Sequence, residues 1–380
     1  MLFGEVAAVE RARVAVAPFG SVAGVAVGDR VEVAPEALSC LAGFGVLGRA
    51  FDPGGAPLDG RGALGGTGIR VDRDGAPPPG ARAPVDLPLW TGIRAIDALL
   101  TIGRGARVGI FGAPAAGKTT LLETIAANAR ADAVVLALVG ERGREARAWF
   151  ERLDRRTAIV CATSDRCASE RVRAADVAMT QARRLCDAGA HVLLVVDSLA
   201  RYAAALREQR VALGEPVGRG GYPSSVWAAL ARYLERAGAL RRGSITVLAT
   251  VLGDGDDERE PLSEAARSLL DGHIVLSSAL ARAGHFPALD VLQSSSRTMD
   301  SVVAPAHARD ASAVRAALAL LAETKDTREV GIVRDGEPAL AAAVAAEAAF
   351  RTFLYRSAPS APADTLRSLA TLASLVGARP

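Results

Sequence analysis

Residues 112–119, GAPAAGKT, constrain this chain more than any other stretch. They fit G-x-x-x-x-G-K-[ST] at every fixed position and lie between an apolar run, ARVGIF, and a helical one, TTLLETIAANA. Glycines at such positions let the backbone curl until its amides point at phosphate oxygens, and a helix opening there adds the positive end of its dipole. A chance glycine-rich turn is the bland alternative, but it would not require a strand before it and a helix after it. On the phosphate reading Gly112, Ala113, Pro114, Ala115, Ala116, Gly117 and Thr120 form the cradle. Lys118 reaches the β/γ-phosphates, and the Thr119 hydroxyl is offered to Mg²⁺. Lys118 and Lys325 are the only lysines among 45 basic residues, which singles out Lys118 as chemically required.

The rest of the chain supplies the fold such a loop needs. From 106 to 277, continuous Val/Ile/Leu runs (AVVLALV, TAIVCAT, HVLLVVD, ITVLATVL, HIVLS) alternate with amphipathic helical stretches at 117–130, 143–153, 168–188 and 198–212. Unbroken apolar runs indicate strands covered on both faces, hence a parallel α/β sheet. Before it, VAAVE, RVAVAPF and RVEVA read as short strands of a small β-unit, and the Gly/Pro-rich segment 52–84 reads as a connector. After Pro305 strand signals vanish, and three helical stretches follow. The expected organisation is an N-terminal β-unit with linker over 1–84, an α/β P-loop core over 85–304 and a C-terminal helical domain over 305–380.

Two acidic residues end apolar runs, where a parallel sheet presents its carboxyl edge. Asp197 ends HVLLVVD and reads either as the metal-side acid or as the N-cap of the helix SLARYAAAL. Glu141 ends AVVLALVG and reads either as the group that orients water against a γ-phosphate or as part of a surface ion-pair ladder with Arg142, Arg144 and Glu145. The residues alone leave both alternatives open.

Composition excludes other classes. A net charge of +3 is no polyelectrolyte, and 23% charged with 50% hydrophobic residues fits a folded globular chain. Cys40, Cys161, Cys167 and Cys186 form no CxxC pair and read as reduced core thiols of a cytosolic protein. Charges at Glu5, Glu10, Arg11 and Arg13 interrupt any signal-peptide core, and no apolar run approaches a membrane span.

Taken in order, GIFGAPAAGKTTLL, LVGERGREA, LLVVDSLARYA, GEPVGRGGYPSSVWAALARYLERAG, SLLDGHIVLS and HFPALDVLQSSSR resemble the ATPases of type III secretion systems and their flagellar export relatives, which are similar to the catalytic subunits of ATP synthase. LGRAFDPGGAPLDGRG and PLWTGIRAIDALLTIGRG match the lead-in to the family's P-loop. The resemblance implies a RecA-like core between a β-barrel and a helical domain. It implies a homohexamer that hydrolyses ATP with Mg²⁺ to drive unfolding, chaperone release and translocation of exported proteins. It implies partners as well: stator and central-stalk proteins and chaperone–substrate complexes, with no nucleic acid, at the cytoplasmic face of the inner membrane. By the same resemblance Lys118 and Thr119 carry over as phosphate and magnesium contacts, Glu141 as the catalytic carboxylate and Asp197 as the metal-side acid. Arg297, in SSSR, falls where the family places an arginine finger that reaches a neighbouring subunit's nucleotide. Phe286 falls where an aromatic ring packs against adenine, and a phenyl face suffices for stacking.

Some positions depart from the family. Ala115 and Ala116 stand where relatives often carry Gly or Val, Ala200 where they usually carry a hydroxyl, and DGDDEREP keeps an acidic loop in altered wording. The early strands of the family's barrel are missing, which implies either a start codon called too late or a shortened barrel and, with it, a weaker hexamer. Two other readings use the same core. One is an RNA-translocating, Rho-like hexameric ATPase, disfavoured by 4% aromatic residues without a basic surface pattern. The other is a catalytically silent ring component, disfavoured by the intact Lys118, Glu141, Asp197 and Arg297.

Overall fold

Runs with no polar face are stable only where both faces are covered, and each becomes a buried strand. The computed structural model describes residues 2–34, 39–73, 75–252, 261–330, 338–355 and 359–377. These fall into two units. One is built from the residues up to Ala83, from Ala131–Leu252 and from the helix Pro261–Leu269; the other is built from Pro84–Arg130 and the residues from Leu270 onward.

In the first unit, five parallel strands lie in the order Ser244–Leu252, His191–Asp197, Ala133–Glu141, Thr157–Thr163 and Arg49–Phe51. The chain leaves Ala133–Glu141 towards Thr157–Thr163 on one side and leaves His191–Asp197 towards Ser244–Leu252 on the other. The carboxyl ends of the two middle strands therefore flank a topological switch point, the place where open α/β sheets bind ligands. Glu141 and Asp197 are the last residues of those two strands. The helix Ala168–Asp187 covers the sheet with Val172, Ala175, Met179, Ala182 and Leu185 buried.

In the second unit the P-loop strand Arg107–Gly112 runs parallel to Gly272–Leu276, which pairs antiparallel with Leu289–Ser296. Helices Pro305–Glu323, Pro338–Leu354 and Pro362–Leu375 follow, as the loss of strand signals implied. Leu340, Ala343, Ala346, Phe350 and Phe353 recur at helical spacing and form the buried face of the middle one.

The N-terminal expectation needs correction. VAAVE and RVAVAPF form an antiparallel hairpin, Gly4–Glu10 with Arg13–Pro18, but RVEVA is not a strand. Residues 31–34 have no sheet edge to pair with, and Val31 and Val33 are 85% and 94% exposed. Among the described residues no closed barrel forms. A two-stranded ribbon is marginal alone, and this one is pinned through its ends. Arg73 bridges Glu5 at 2.5 Å and Asp176 at 2.6 Å, and Arg173 stacks on Phe19 at 4.9 Å. The segment read as a connector contributes Thr67–Arg70, antiparallel to Ser39–Ala42. Arg49–Phe51, read only as part of a lead-in motif, is the outer strand beside Thr157–Thr163.

The four cysteines are free thiols, three of them buried. No helix among the described residues is long and apolar enough to cross a membrane.

Candidate functional site

The P-loop glycines are needed for space and for backbone conformation. A Cβ at Gly112 would stand 3.0 Å from the Leu276 carbonyl oxygen, and Gly117, with φ 92°, caps the helix Lys118–Asn128. Lys118 Nζ donates to the carbonyls of Gly112 and Ala113, the latter at 2.8 Å, so its ammonium is held inside the curl of the loop. Thr119 is exposed, and its hydroxyl has no hydrogen-bond partner among the described residues. Thr124, one turn on, spends its own on the Thr120 carbonyl at 2.8 Å. The free Thr119 oxygen is the kind of hard donor that magnesium takes.

Ala115 is the one non-glycine residue with positive φ, 65°, among the described residues. It is exposed, so its methyl packs against little while its backbone sits in the left-handed region. That conformation costs an alanine about 1–2 kcal/mol, and glycine forfeits about 0.4–1 kcal/mol through its freer unfolded chain. Ala115→Gly is therefore expected to stabilise the protein by about 0.5–1 kcal/mol, seen as a slightly higher Tm by calorimetry. A lower Tm would contradict the strain.

Beside the loop a cavity of about 620 Å³ is lined by Gly117, Thr120, Phe286, Pro287, Phe353 and Tyr355, among others. The Phe286 ring comes within 3.9 Å of where a Gly117 Cβ would stand. Phe286 is thus at the P-loop. Phe353 and Tyr355 did not stand out in the sequence, because the Ala-rich helix before them carried no motif. The aromatic cluster FRTFLY was the available signal. Behind the cavity's Gly92, buried Asp97 accepts from Thr91 N and Oγ1 and from Gly92 N at 2.7–2.9 Å. Burial pushes Asp97 up to about 6 against those bonds.

In the other unit, Glu141 is 6% exposed, and its ion-pair partner is Arg201 rather than the ladder's Arg142 or Arg144. Arg142 pairs with Glu145 at 3.8 Å, whereas Glu141 takes a charge-assisted bond from Arg201 Nη1 on Oε2 and the Arg142 N–H on Oε1 at 3.2 Å. Gly140 precedes it with φ 67°, and a Cβ there would press on Arg201 Cδ at 3.3 Å. Burial is the largest influence on Glu141 and pushes its carboxyl up. Hydrogen bonds from Arg201 and Glu145, the Arg201 charge and the Arg142 amide outweigh it and hold the group below its ordinary value. Glu145 moves the other way, raised first by its hydrogen bond to Glu141. The pair therefore keeps its charge on Glu141. Arg201, four residues beyond Asp197 in DSLAR, is the site residue that sequence reasoning missed.

Asp197 is 8% exposed and accepts from Thr250 Oγ1 at 2.7 Å. It is not the N-cap of the following helix. Ser198 fills that role, its hydroxyl accepting from Arg201 N at 3.1 Å. Arg297 lies in the P-loop unit just past Leu289–Ser296. Its N–H donates to the Asp271 carbonyl at 2.9 Å, and its exposed side chain has no partner among the described residues. The altered acidic loop, 254–260, lies outside the described residues.

The ATP synthase alpha/beta family, nucleotide-binding domain, matches residues 92–296. The type 3 secretion system ATPase of Sinorhizobium fredii is 44% identical over 90% of this chain and 77% of its own length. The chain belongs to the family of type III secretion and flagellar export ATPases. Within that family, the flagellum-specific ATP synthase of Pseudomonas aeruginosa is 40% identical over 98% of this chain and 84% of its own. The assembled ATPase EscN of the enteropathogenic E. coli type III secretion system superposes with a TM-score of 0.92 at 37% identity, over 98% of this chain and 92% of EscN. EscN has also been solved with its central stalk EscO, and that form superposes with a TM-score of 0.90.

Proposed function

We propose that the chain is a homohexameric, Mg²⁺-dependent ATPase that drives unfolding, chaperone release and translocation of proteins through a type III secretion apparatus. We read 85–304 as its catalytic core, 1–84 as a shortened barrel module and 305–380 as the helical domain that meets the stalk and chaperone-bound substrates. The stator and the cytoplasmic face of the inner membrane complete its setting. Two observations, one in each unit, carry the reading: a P-loop whose lysine already lies inside the loop, and a buried carboxylate bonded to Arg201 at a switch point. No observation favours the RNA-translocating alternative.

In this reading the loop amides and Lys118 hold the phosphates and neutralise their charge, and Phe286 with Phe353 fixes the base. Thr119 would offer magnesium its hydroxyl oxygen and Asp197 its carboxylate, and the bound ion would supply further charge neutralisation. Glu141 orients a water whose oxygen bonds to the γ-phosphorus as the bond to the bridging oxygen breaks. Its lowered basicity suits positioning more than early proton removal. Arg201 keeps that carboxylate in place, and Arg297 reaches a neighbouring copy's nucleotide to stabilise the charge that develops. Phosphoryl transfer of this kind rests on positioning and electrostatics. Mg²⁺-dependent release of phosphate from ATP by the purified chain tests the reading, and its absence at every protein concentration would overturn it.

A further inference from the structure

Next to the base cavity lies a second one, of about 500 Å³, lined by Arg94, His285, Arg351, Thr352 and Tyr355 with Ala283 and Gly284. Among the described residues its charged lining is all cationic or imidazole, with no carboxylate. Several cationic groups facing one concavity favour an anion that enters it.

The donors facing it are underused. Arg94 makes one long hydrogen bond, Nη2 to the Thr352 carbonyl at 3.4 Å, and lies 5.4 Å from the centre of the Phe353 ring. Its Nε is buried with no partner among the described residues. Arg351 has only Glu347, at 3.8 Å and with its own side chain 73% exposed, a pairing too loose and wet to occupy a guanidinium fork. His285 meets Tyr355 edge-on at 5.6 Å, and neither of its ring nitrogens has a hydrogen-bond partner among the described residues. Burial and the Arg351 charge both hold the His285 imidazolium below its ordinary pKa, as a locally positive field would.

We infer that this cavity is a second anion site that takes a phosphate group, bound by the guanidinium forks of Arg94 and Arg351 and by a His285 N–H. Guanidinium forks match phosphate oxygens two at a time, and His285 adds a third direction. Arg94 and Tyr355 line this cavity and the base cavity alike, so a phosphate here bears on the grip of the base next door. The phosphate has two possible sources, a free phosphoanion or the phosphate of a nucleotide whose base occupies the neighbouring cavity.

Pyrophosphate titrated calorimetrically into the full chain, at matched ionic strength with and without saturating ADP, separates these sources. Binding that persists with ADP present identifies a free phosphoanion, and binding that ADP displaces identifies a phosphate that shares the base cavity. In either case Arg351→Gln and His285→Gln are each expected to weaken this binding about tenfold or more, the usual loss for a charge-assisted hydrogen bond; ADP affinity is unchanged for a free phosphoanion and falls in parallel for a nucleotide phosphate. Pyrophosphate affinity that is the same in both variants as in the parent, or no binding beyond that at the P-loop, would overturn the site. ADP titrated alone reports separately on the nucleotide reading, so failure of one leaves the other standing.

Discussion

Arg297→Ala is expected to lower ATP hydrolysis about 10³- to 10⁵-fold while leaving nucleotide affinity intact. That loss corresponds to about 4–7 kcal/mol of transition-state stabilisation. The structure separates backbone from side chain at this position. Asp271 receives the Arg297 N–H and also takes the Arg107 N–H at 2.8 Å and its Nε at 3.0 Å, while Arg315 ties down the preceding strand through the carbonyls of Val291 and Ser294. Arg297 itself is exposed, and its guanidinium has no partner among the described residues. A side chain projected from so firm a base suits a finger whose target lies on another copy. The check is steady-state phosphate release beside binding of a fluorescent ADP analogue. Wild-type turnover by Arg297→Ala would remove Arg297 from the mechanism.

Glu141→Gln is expected to lower kcat about 10²- to 10⁴-fold, the range for loss of a positioned acid–base group. Glutamine keeps the length of the side chain and can still accept from Arg201, so the fold and the nucleotide affinity are expected to hold. What it removes is the negative charge that Arg201 and the Glu145 carboxyl keep on this residue. Single-turnover hydrolysis with ATP prebound isolates the chemical step. A variant that binds ATP and cleaves it at the parent rate would return Glu141 to a structural role.

The parallel sheet was legible because its strands have no polar face, and the P-loop because the geometry it needs restricts residue choice at four of its eight positions. Asp197 and Glu141 could be found as candidates, since a polar residue ending an apolar run is conspicuous. Their alternatives could not be settled from the sequence, because capping and ion pairing depend on neighbours that only the fold supplies. Ser198 turned out to be the cap, and Arg201 the partner. Phe353 and Tyr355 were hidden for a different reason. They join the base cavity through tertiary packing of a helix whose sequence shows only an apolar stripe. RVEVA misled because alternation shows that a segment could be a strand, while a strand also needs an edge to pair with.

Specific Mg²⁺-ATPase activity of the purified 380-residue chain, followed across a wide range of protein concentration, tests most directly whether the active site is shared between copies. Activity per subunit that rises with concentration and then levels off is the expected result if, as proposed, Arg297 acts on a neighbour's nucleotide. Activity per subunit that stays constant down to concentrations where sedimentation finds only monomer would contradict it.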